Sequence, residues 1–361
     1  MPMNPDVIEN VKSERVRRVA DLAKSHGRKK AGRFLVEGPQ SVREAVRWVP
    51  TALVDVYVQM GDGPQGLFSK VVADIVDEAD RRGLYIHHVT ASVMHKMSDD
   101  SQGIVAVAQT ETFESVMQER SAAFANSTSL SPDRKTDGAE NPTSMANAVP
   151  ARGRRMAPGD LSEVVLKADA HTNSNTESTT VAAFWQVRDP GNAGTVIRSA
   201  DAAGCAAVIF VDDCVDRFNP KVIRSTAGSL FHIPVVTMTT DEFFDWARSD
   251  GREVMAADVY GTPEVRPESL VEVIGGDLHA YRMPSDRQTA GDEVRNDGRS
   301  PRTVLFGNEA RGLPAEVLGR VDRIVSIPLY GKAESLNLAT SAAVMLFSLA
   351  MSSHIETMGR L

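Results

Sequence analysis

The sequence predicts an α/β protein in two units, the second organised on a mostly parallel sheet. Three observations carry that reading. Short apolar runs of strand length alternate with amphipathic helical segments over residues 34–108 and again over 181–347. Between about residues 115 and 180 the composition shifts to Ser, Thr, Asn, Asp, Glu, Pro and Gly, which bury too little apolar surface to offset the entropy of ordering. Polar, glycine-bearing loops then follow expected strands at Asp189 to Arg198, Gly307 to Gly312 and Tyr330 to Asn337. Loops beyond the carboxyl ends of parallel strands are where such sheets hold ligands.

Taken in order, residues 7–26 read as a helix, with Val11, Val16, Val19 and Leu22 apolar among charges. The run SHGRKKAGR interrupts that pattern with two glycines and a string of cations. Phe34 to Val36 reads as a strand, and Glu37-Gly38-Pro39 leads into a helix bearing Val42, Ala45, Val46 and Trp48. A strand at 53–58, a helix at 67–79 and strands at 84–89 and 104–108 complete a small α/β unit over residues 1–112. A polar, flexible linker is expected over 113–180. In the unit 181–361, strands are expected at 181–187, 207–211, 233–238, 253–256, 303–306 and 323–329. The turn-and-helix segments DPGNAGTVIRSADAAG and NPKVIRSTAGSLF separate the first three of these, and residues 282–302 form a second polar insert. After the last strand, Pro328 and Gly331 force a turn, Ser335 reads as an N-cap, and Leu338, Ala342, Met345 and Leu346 mark one face of a final helix.

Composition narrows the function classes. With 42% hydrophobic and 24% charged residues, the 361-residue chain has the make-up of a soluble globular protein. Cys205 and Cys214 are too few for a disulfide framework and lack metal-ligand spacing, so a reducing cytoplasm is the expected setting and no metal is expected. No apolar run reaches membrane-spanning length, and the N-terminus has no secretory core. A net charge of −8 argues against a general polyanion binder, yet the stretch from Lys12 to Arg47 is locally basic, with Arg28, Lys29, Lys30 and Arg33 in its centre.

The loops carry backbone donors, the side-chain amides of Asn192, Asn308 and Asn337, the carboxylate of Glu309 and the guanidinium groups of Arg198 and Arg311. That inventory suits a polar, nucleoside-like ligand beside an anionic group. Each loop taken singly reads equally well as an ordinary strand-to-helix connection, and Arg198 as a solvated surface residue. The familiar alternatives fail: no GxGxxG follows a strand, no GxxxxGK[ST] is present, and Ser335 sits in no GxSxG. The histidines His87, His88 and His95 lack metal-site spacing and are expected at the surface or the rim of the core.

Together, DPGNAGTVIRSADAAG, FGNEARGLP and IPLYGKAESLNLATSAA resemble, in order and spacing, the three signature motifs of the SpoU (TrmH-like) RNA ribose 2′-O-methyltransferases of the SPOUT superfamily. NPKVIRSTAGSLFHIPV is similar to the stretch between the first two motifs, and GRFLVEGPQSVREAV with SQGIVAVA resembles an L30e-type RNA-binding domain. The resemblance implies a trefoil-knotted methyltransferase domain behind a smaller L30e-like domain, working as a homodimer. It implies S-adenosylmethionine as cofactor, held by Gly307, Asn308, Ile327, Leu329, Ser335, Leu336 and Asn337. Arg198, Asn192 and Glu309 map onto the catalytic region, Glu309 either assisting Arg198 or fixing its loop. Structured RNA is the implied substrate, ribosomal RNA before transfer RNA, with Arg28, Lys29, Lys30, Arg33 and Arg224 as expected RNA contacts. Against this stands a non-catalytic RNA-binding protein of the same fold.

Overall fold

The computed structural model describes residues 3–127, 180–282 and 301–353. The remaining stretches, with Arg152, Arg154, Arg155 and most of both expected inserts, lie outside the described residues.

The first unit runs β1 (Met3–Ile8), α1 (Glu14–Asp21), α2 (Ser25–Ala31), β2 (Arg33–Glu37), α3 (Pro39–Trp48), β3 (Leu53–Gln59), α4 (Lys70–Arg81), β4 (Ile86–Val89), α5 (Ala91–Met97), β5 (Ile104–Gln109) and α6 (Thr110–Ser127). Its strands form one sheet in the order β1-β4-β3-β5-β2. β1, β4 and β3 are parallel, whereas β5 runs antiparallel to both β3 and β2.

Several expectations change here. Residues 7–26 are not one helix: the chain begins as β1, and α1 starts only after Ser13, whose hydroxyl accepts from Val16 N at 3.3 Å. The cationic run is itself helical, as α2. Arg28 explains why, because its Nη1 donates to Leu22 O (3.0 Å) and Ala23 O (2.9 Å), tying the end of α1 to the next turn of chain. The expected linker at 113–180 opens as helix α6, since Phe113 and Met117, one turn apart, are buried in the core. Helix α5, strand β10 (Glu268–Ser269) and helix α10 (Leu270–Arg282) carry weak local patterns and do not stand out in the sequence.

The second unit runs β6 (Val181–Trp185), α7 (Pro190–Ala202), β7 (Ala207–Val211), α8 (Pro220–Ser225), β8 (Val235–Met238), α9 (Thr240–Ser249), β9 (Glu253–Ala257), β10, α10, β11 (Arg302–Phe306), α11 (Ala315–Leu318), β12 (Arg323–Ser326) and α12 (Leu338–Ser353). All seven strands are parallel, in the order β10-β12-β9-β11-β6-β7-β8. This is the mostly parallel α/β architecture expected from the alternation of apolar runs. The run Val181 to Val211 shows why: Ala182, Phe184, Val208 and Phe210 pack with α7, α8 and α12 on one face, while Val181, Ala183, Ile209 and Val211 pack with α9 and α11 on the other. Arg302 opens β11 instead of closing the polar insert, held by Asp277 of α10 at 2.6 and 2.7 Å.

The two units share one core. Phe34 of β2 stacks on Phe218, just before α8, with ring centroids 4.5 Å apart, and Phe113 meets Phe218 and Phe231 edge-on.

Candidate functional site

The turn between β6 and α7 is the foundation of the site. Asp189 caps α7, its Oδ1 accepting from Asn192 N at 2.7 Å, and Pro190 occupies the first helical turn. Gln186, just before this turn, holds a φ of 51°, a conformation costly for a side-chain-bearing residue and common where a site constrains the backbone. Gly194 allows α7 to touch α8: a Cβ there would lie 1.9 Å from Ser225 Oγ and 2.6 Å from Val222 O. Ser225 Oγ also lies 3.0 Å from Pro190 O, one of three carbonyls within reach of its single proton beside Lys221 O and Val222 O at 2.9 Å, so α8 packs against the turn that carries Asn192.

The other two loops close on that turn. After β11, Asn308 and Gly312 exchange backbone hydrogen bonds at 3.1 and 2.9 Å, making a tight loop around Glu309. Glu309 Oε1 accepts from Asp189 N and from Asn192 Nδ2, each at 3.3 Å, and its Oε2 accepts from Asn308 Nδ2 at 3.3 Å. Asn308 is buried with both ends engaged, donating to Gln186 O at 2.7 Å and accepting from Ala310 N at 3.0 Å. From the third loop, Asn337 Nδ2 donates to Asn192 Oδ1 at 3.2 Å. Asn192 is therefore the junction of all three segments.

Asn337, not Ser335, caps the last helix: its Oδ1 accepts from Ala339 N at 2.8 Å and α12 begins at Leu338. The short amide sits one residue before the helix in capping position, whereas Ser335 is exposed and two residues too early. The route to Asn337 has a geometric consequence. β9 and β11 stand between β12 and β6. Three strand spacings amount to roughly 14 Å, so the segment 327–337 crosses the ends of β9 and β11 to reach α7. Within the described residues the backbone N–H groups of Ile327, Leu329 and Leu336 donate to nothing, although all three residues are half-buried. Unpaired donors in a partly covered loop suit a polar ligand.

Sequence reasoning missed a fourth loop, 258–267, which leaves β9 between the second and third loops. Asp258 Oδ1 binds Tyr260 N (2.8 Å) and Gly261 N (2.7 Å), and its Oδ2 points to Gly312, lying 3.6 Å from where a Cβ would be. The Asp-x-x-Gly turn was its available signal.

Arg198 lies on the exposed side of α7 and forms no ion pair among the described residues. The five expected RNA contacts divide. Lys29, Lys30 and Arg33 are exposed. Arg28 is buried, 6% exposed, on Asp216 and two carbonyls, and Arg224 pairs with Glu37 and Asp100, so neither is a free phosphate ligand. Arg28's charge is spent inside the protein because a buried guanidinium must have its donors met, whereas Arg224 is half-buried at the edge of the seam. His87, expected at the surface or core rim, is buried between Tyr57 and Asp55, its Nε2 2.7 Å from Asp55 Oδ1. Burial pushes the thiols of Cys205 and Cys214 up to about 12, which removes them as nucleophiles. Among the described residues no group of His, Cys, Asp or Glu has metal-binding geometry.

The fold and the site thus define an α/β protein whose parallel sheet carries a cluster of interlocked polar turns at its carboxyl edge. More narrowly, the chain carries a domain of the SpoU rRNA Methylase family over residues 179–347, preceded by an MRM3-like substrate binding domain over residues 13–106. It is 37% identical over 163 residues to the 23S rRNA (guanosine(2553)-2′-O)-methyltransferase RlmP of Bacillus subtilis, covering 45% of this chain and 54% of that protein. It is 36% identical over 165 residues to the 23S rRNA (uridine(2479)-2′-O)-methyltransferase of Streptomyces viridochromogenes, covering 45% of this chain and 50% of that one. The chain spans about half the length of the curated relatives it matches. In fold it is similar to the crystal structure of an rRNA methyltransferase from Sinorhizobium meliloti, with a TM-score of 0.60, 20% identity and 99% of each chain covered.

Proposed function

We propose that this protein transfers a methyl group from S-adenosylmethionine to a ribose 2′-hydroxyl of ribosomal RNA. The observation that carries the reading is the meeting of three loops on Asn192, with Arg198 on the same helix and in no ion pair among the described residues. The residues at the loops fit the cofactor: the N–H groups of Ile327, Leu329 and Leu336 would hold its polar edges, and Gly307 and Asn308 would form one wall. When bound, the cofactor supplies an electrophilic methyl group on a sulfonium. The side chains of Asn308 and Asn337 act through loop shape, since their own hydrogen bonds are internal.

A guanidinium is a poor base, so Arg198 is cast in an electrostatic role. Its role would be to hold the phosphate beside the target ribose and to stabilise the developing alkoxide as the hydroxyl gives its proton to solvent, the O–CH₃ bond forming as the S–CH₃ bond breaks and the sulfur leaves as a neutral thioether. Alignment of oxygen, carbon and sulfur supplies much of the remaining acceleration. Asn192 and Glu309 keep Arg198's helix in register with the cofactor loops.

Ribosomal RNA is preferred because the relatives named above act on 23S rRNA. Exposed Lys29, Lys30 and Arg33 of the N-terminal unit would meet its phosphates. The proposal includes a division near residues 112 and 181, a knotted C-terminal path and residence with ribosomes in the cytoplasm. The crossing of segment 327–337 over β9 and β11 supports the knot. It also includes a homodimer, supported by Phe347 and Met351, which stay 39% and 49% exposed on α12.

The test is methylation of total RNA from cells lacking this protein, using labelled S-adenosylmethionine, with ribosomal and transfer RNA separated before digestion to nucleosides. A labelled 2′-O-methylnucleoside is expected, and Arg198→Ala should abolish it while calorimetry shows donor binding retained. Label in bases only, or in transfer RNA only, would overturn the reading. Donor binding without any transfer would leave a non-catalytic RNA binder.

A further inference from the structure

We propose that the seam between the two units is a fixed ruler that selects which ribose reaches Arg198, with Arg28, Asp216 and Arg224 as its positioning residues. The inference rests on the methyl-transfer reading above and deepens it to the choice of nucleotide.

The seam is closed at both ends by charge and in the middle by packing. At one end Arg28 Nε and Nη2 donate to Asp216 Oδ2 at 2.9 and 2.6 Å, while Nη1 serves the carbonyls of Leu22 and Ala23. Asp216 Oδ1 meanwhile accepts from Phe218 N at 2.9 Å, so this one carboxylate grips both units. In the middle Phe218 stacks on Phe34. At the other end Arg224 Nη1 lies 2.8 Å from Glu37 Oε2 and 2.8 Å from Asp100 Oδ2. One charged end lies in the loop before α8, at Asp216, and the other in the helix's last turn, at Arg224.

From α8 the constraint runs on to the site. Ser225 fills the space that Gly194 leaves open and lies against Pro190 O, two residues from Asn192. Each step from α2 to Asn192 is a packed or hydrogen-bonded contact, and the loop 212–219 on that path is pinned by Asp216 and Phe218. α2 also carries exposed Lys29 and Lys30 directly after Arg28. The cations that would grip RNA phosphates are therefore held at a set separation from Arg198. A flexible tether would let the gripped RNA present many sugars; a rigid seam presents one. Arg28 and Arg224 thus serve RNA recognition without touching RNA, which accounts for basic residues being spent on internal pairs.

The test uses the full chain and three variants. Asp216→Lys sets two cations face to face, and Arg224→Glu adds a third carboxylate beside Glu37 and Asp100. Asp216→Asn keeps one oxygen for Arg28, gives up the acceptor for Phe218 N, and removes the charge without reversing it. Spin labels on cysteines replacing exposed Lys96 and Arg248, in a Cys205→Ala/Cys214→Ala background, report the spread of inter-unit distances. A narrow distribution is expected for the parent and Asp216→Asn, and one roughly twofold broader for the two charge reversals. Ribosomal RNA from cells lacking the protein, incubated with labelled donor and mapped for 2′-O-methyl positions, should show one dominant position for the parent and Asp216→Asn. In the reversals its share should fall about tenfold, because ångström misplacement is that costly, and new positions should appear.

Reversals that keep the narrow distribution, or that methylate the same position more weakly with no new ones, would overturn the ruler. The second outcome would make Arg224 a plain phosphate contact. Donor affinity should stay unchanged across the set, and its collapse would assign the seam to the donor site instead. If the parent leaves the RNA unmethylated, it is the methyl-transfer reading that fails, and the distance widths still report whether the seam is rigid.

Discussion

Replacing Glu309 separates a carboxylate that fixes a loop from one that takes part in chemistry. Its two oxygens accept from Asp189 N, Asn192 Nδ2 and Asn308 Nδ2, all at 3.3 Å, the first two exposed and the third partly buried. Long, solvated hydrogen bonds each contribute about 0.5–1 kcal/mol, at the lower end of the usual range. Glu309→Ala therefore releases about 1.5–3 kcal/mol of restraint on the Asn192 turn, which corresponds to a loss of roughly tenfold to hundredfold in kcat/KM. Glu309→Gln keeps one oxygen for Asp189 and Asn192 and loses only the contact to Asn308, where two NH₂ groups would meet. Its expected loss is about 1 kcal/mol, or roughly fivefold. A general base would behave otherwise, since removing its charge forfeits proton transfer worth about 10²–10⁴-fold whichever neutral residue replaces it. The assay is transfer of labelled methyl to ribosomal RNA at subsaturating RNA, with donor Kd measured alongside. Equal, severe losses for Ala and Gln would refute the loop-fixing argument.

His232 makes the seam sensitive to pH. A hydrogen bond to Asp201, reinforced by Glu44, raises its pKa above the usual 6.5. A raised value in the fold means stability that is complete below the unfolded value and lost as pH climbs through the raised one. Tm should therefore decline from about pH 6 to about pH 8, and His232→Gln should flatten that slope; an unchanged slope would exclude His232 as its source. Gly194→Ala drives a methyl into Ser225 Oγ and Val222 O. The overpacking costs about 1–3 kcal/mol and should lower Tm by roughly 1–4 °C. Adding Ser225→Gly should recover only part of this, because Val222 O is backbone. In the third loop, Lys332→Ala and Glu334→Ala should leave donor affinity unchanged by calorimetry, while one glycine inserted after Lys332 should abolish it. Donor binding that survives the insertion would show that the loop's main chain holds nothing.

Much of this was legible in residue order. The alternation of apolar runs with helical segments predicts the parallel sheet, and Asp189-Pro190 announces the start of a helix whatever lies around it. The grouping of Asn192, Asn308, Glu309 and Asn337 was visible as three loops after strands. Contact across the chain is absent from any local pattern. Arg28 reads as one of four neighbouring cations until Asp216, 188 residues away, is seen against it. Phe113 and Met117 read as stray apolar residues at the edge of a polar stretch until Phe34 and Phe218 are found beside them. Ser335 and Asn337 are both good caps by type, and only the path across β9 and β11 decides where the helix starts. Asp258 escapes a reading of the sequence because β9's place in the middle of the sheet depends on strand order, which no single segment encodes.

The division of labour within the site follows from how its polar groups are used. Asn192, Asn308, Glu309 and Asn337 are bonded largely to one another and to the backbone. Side chains already engaged within the fold have less to offer a ligand, so on the proposed reading recognition would fall to the main-chain N–H groups of 327–336 and to Arg198. Main-chain donors are indifferent to which side chain they carry and acutely dependent on the course of the loop. That course is set at one end by β12 and at the other by Asn337, which caps α12 and holds Asn192 at once. A single amide therefore couples the position of the donor loop to the helix that carries Arg198. On the methyl-transfer reading, the fold would thereby fix methyl donor and acceptor relative to each other before either ligand arrives, which is the preorganisation that an aligned displacement requires.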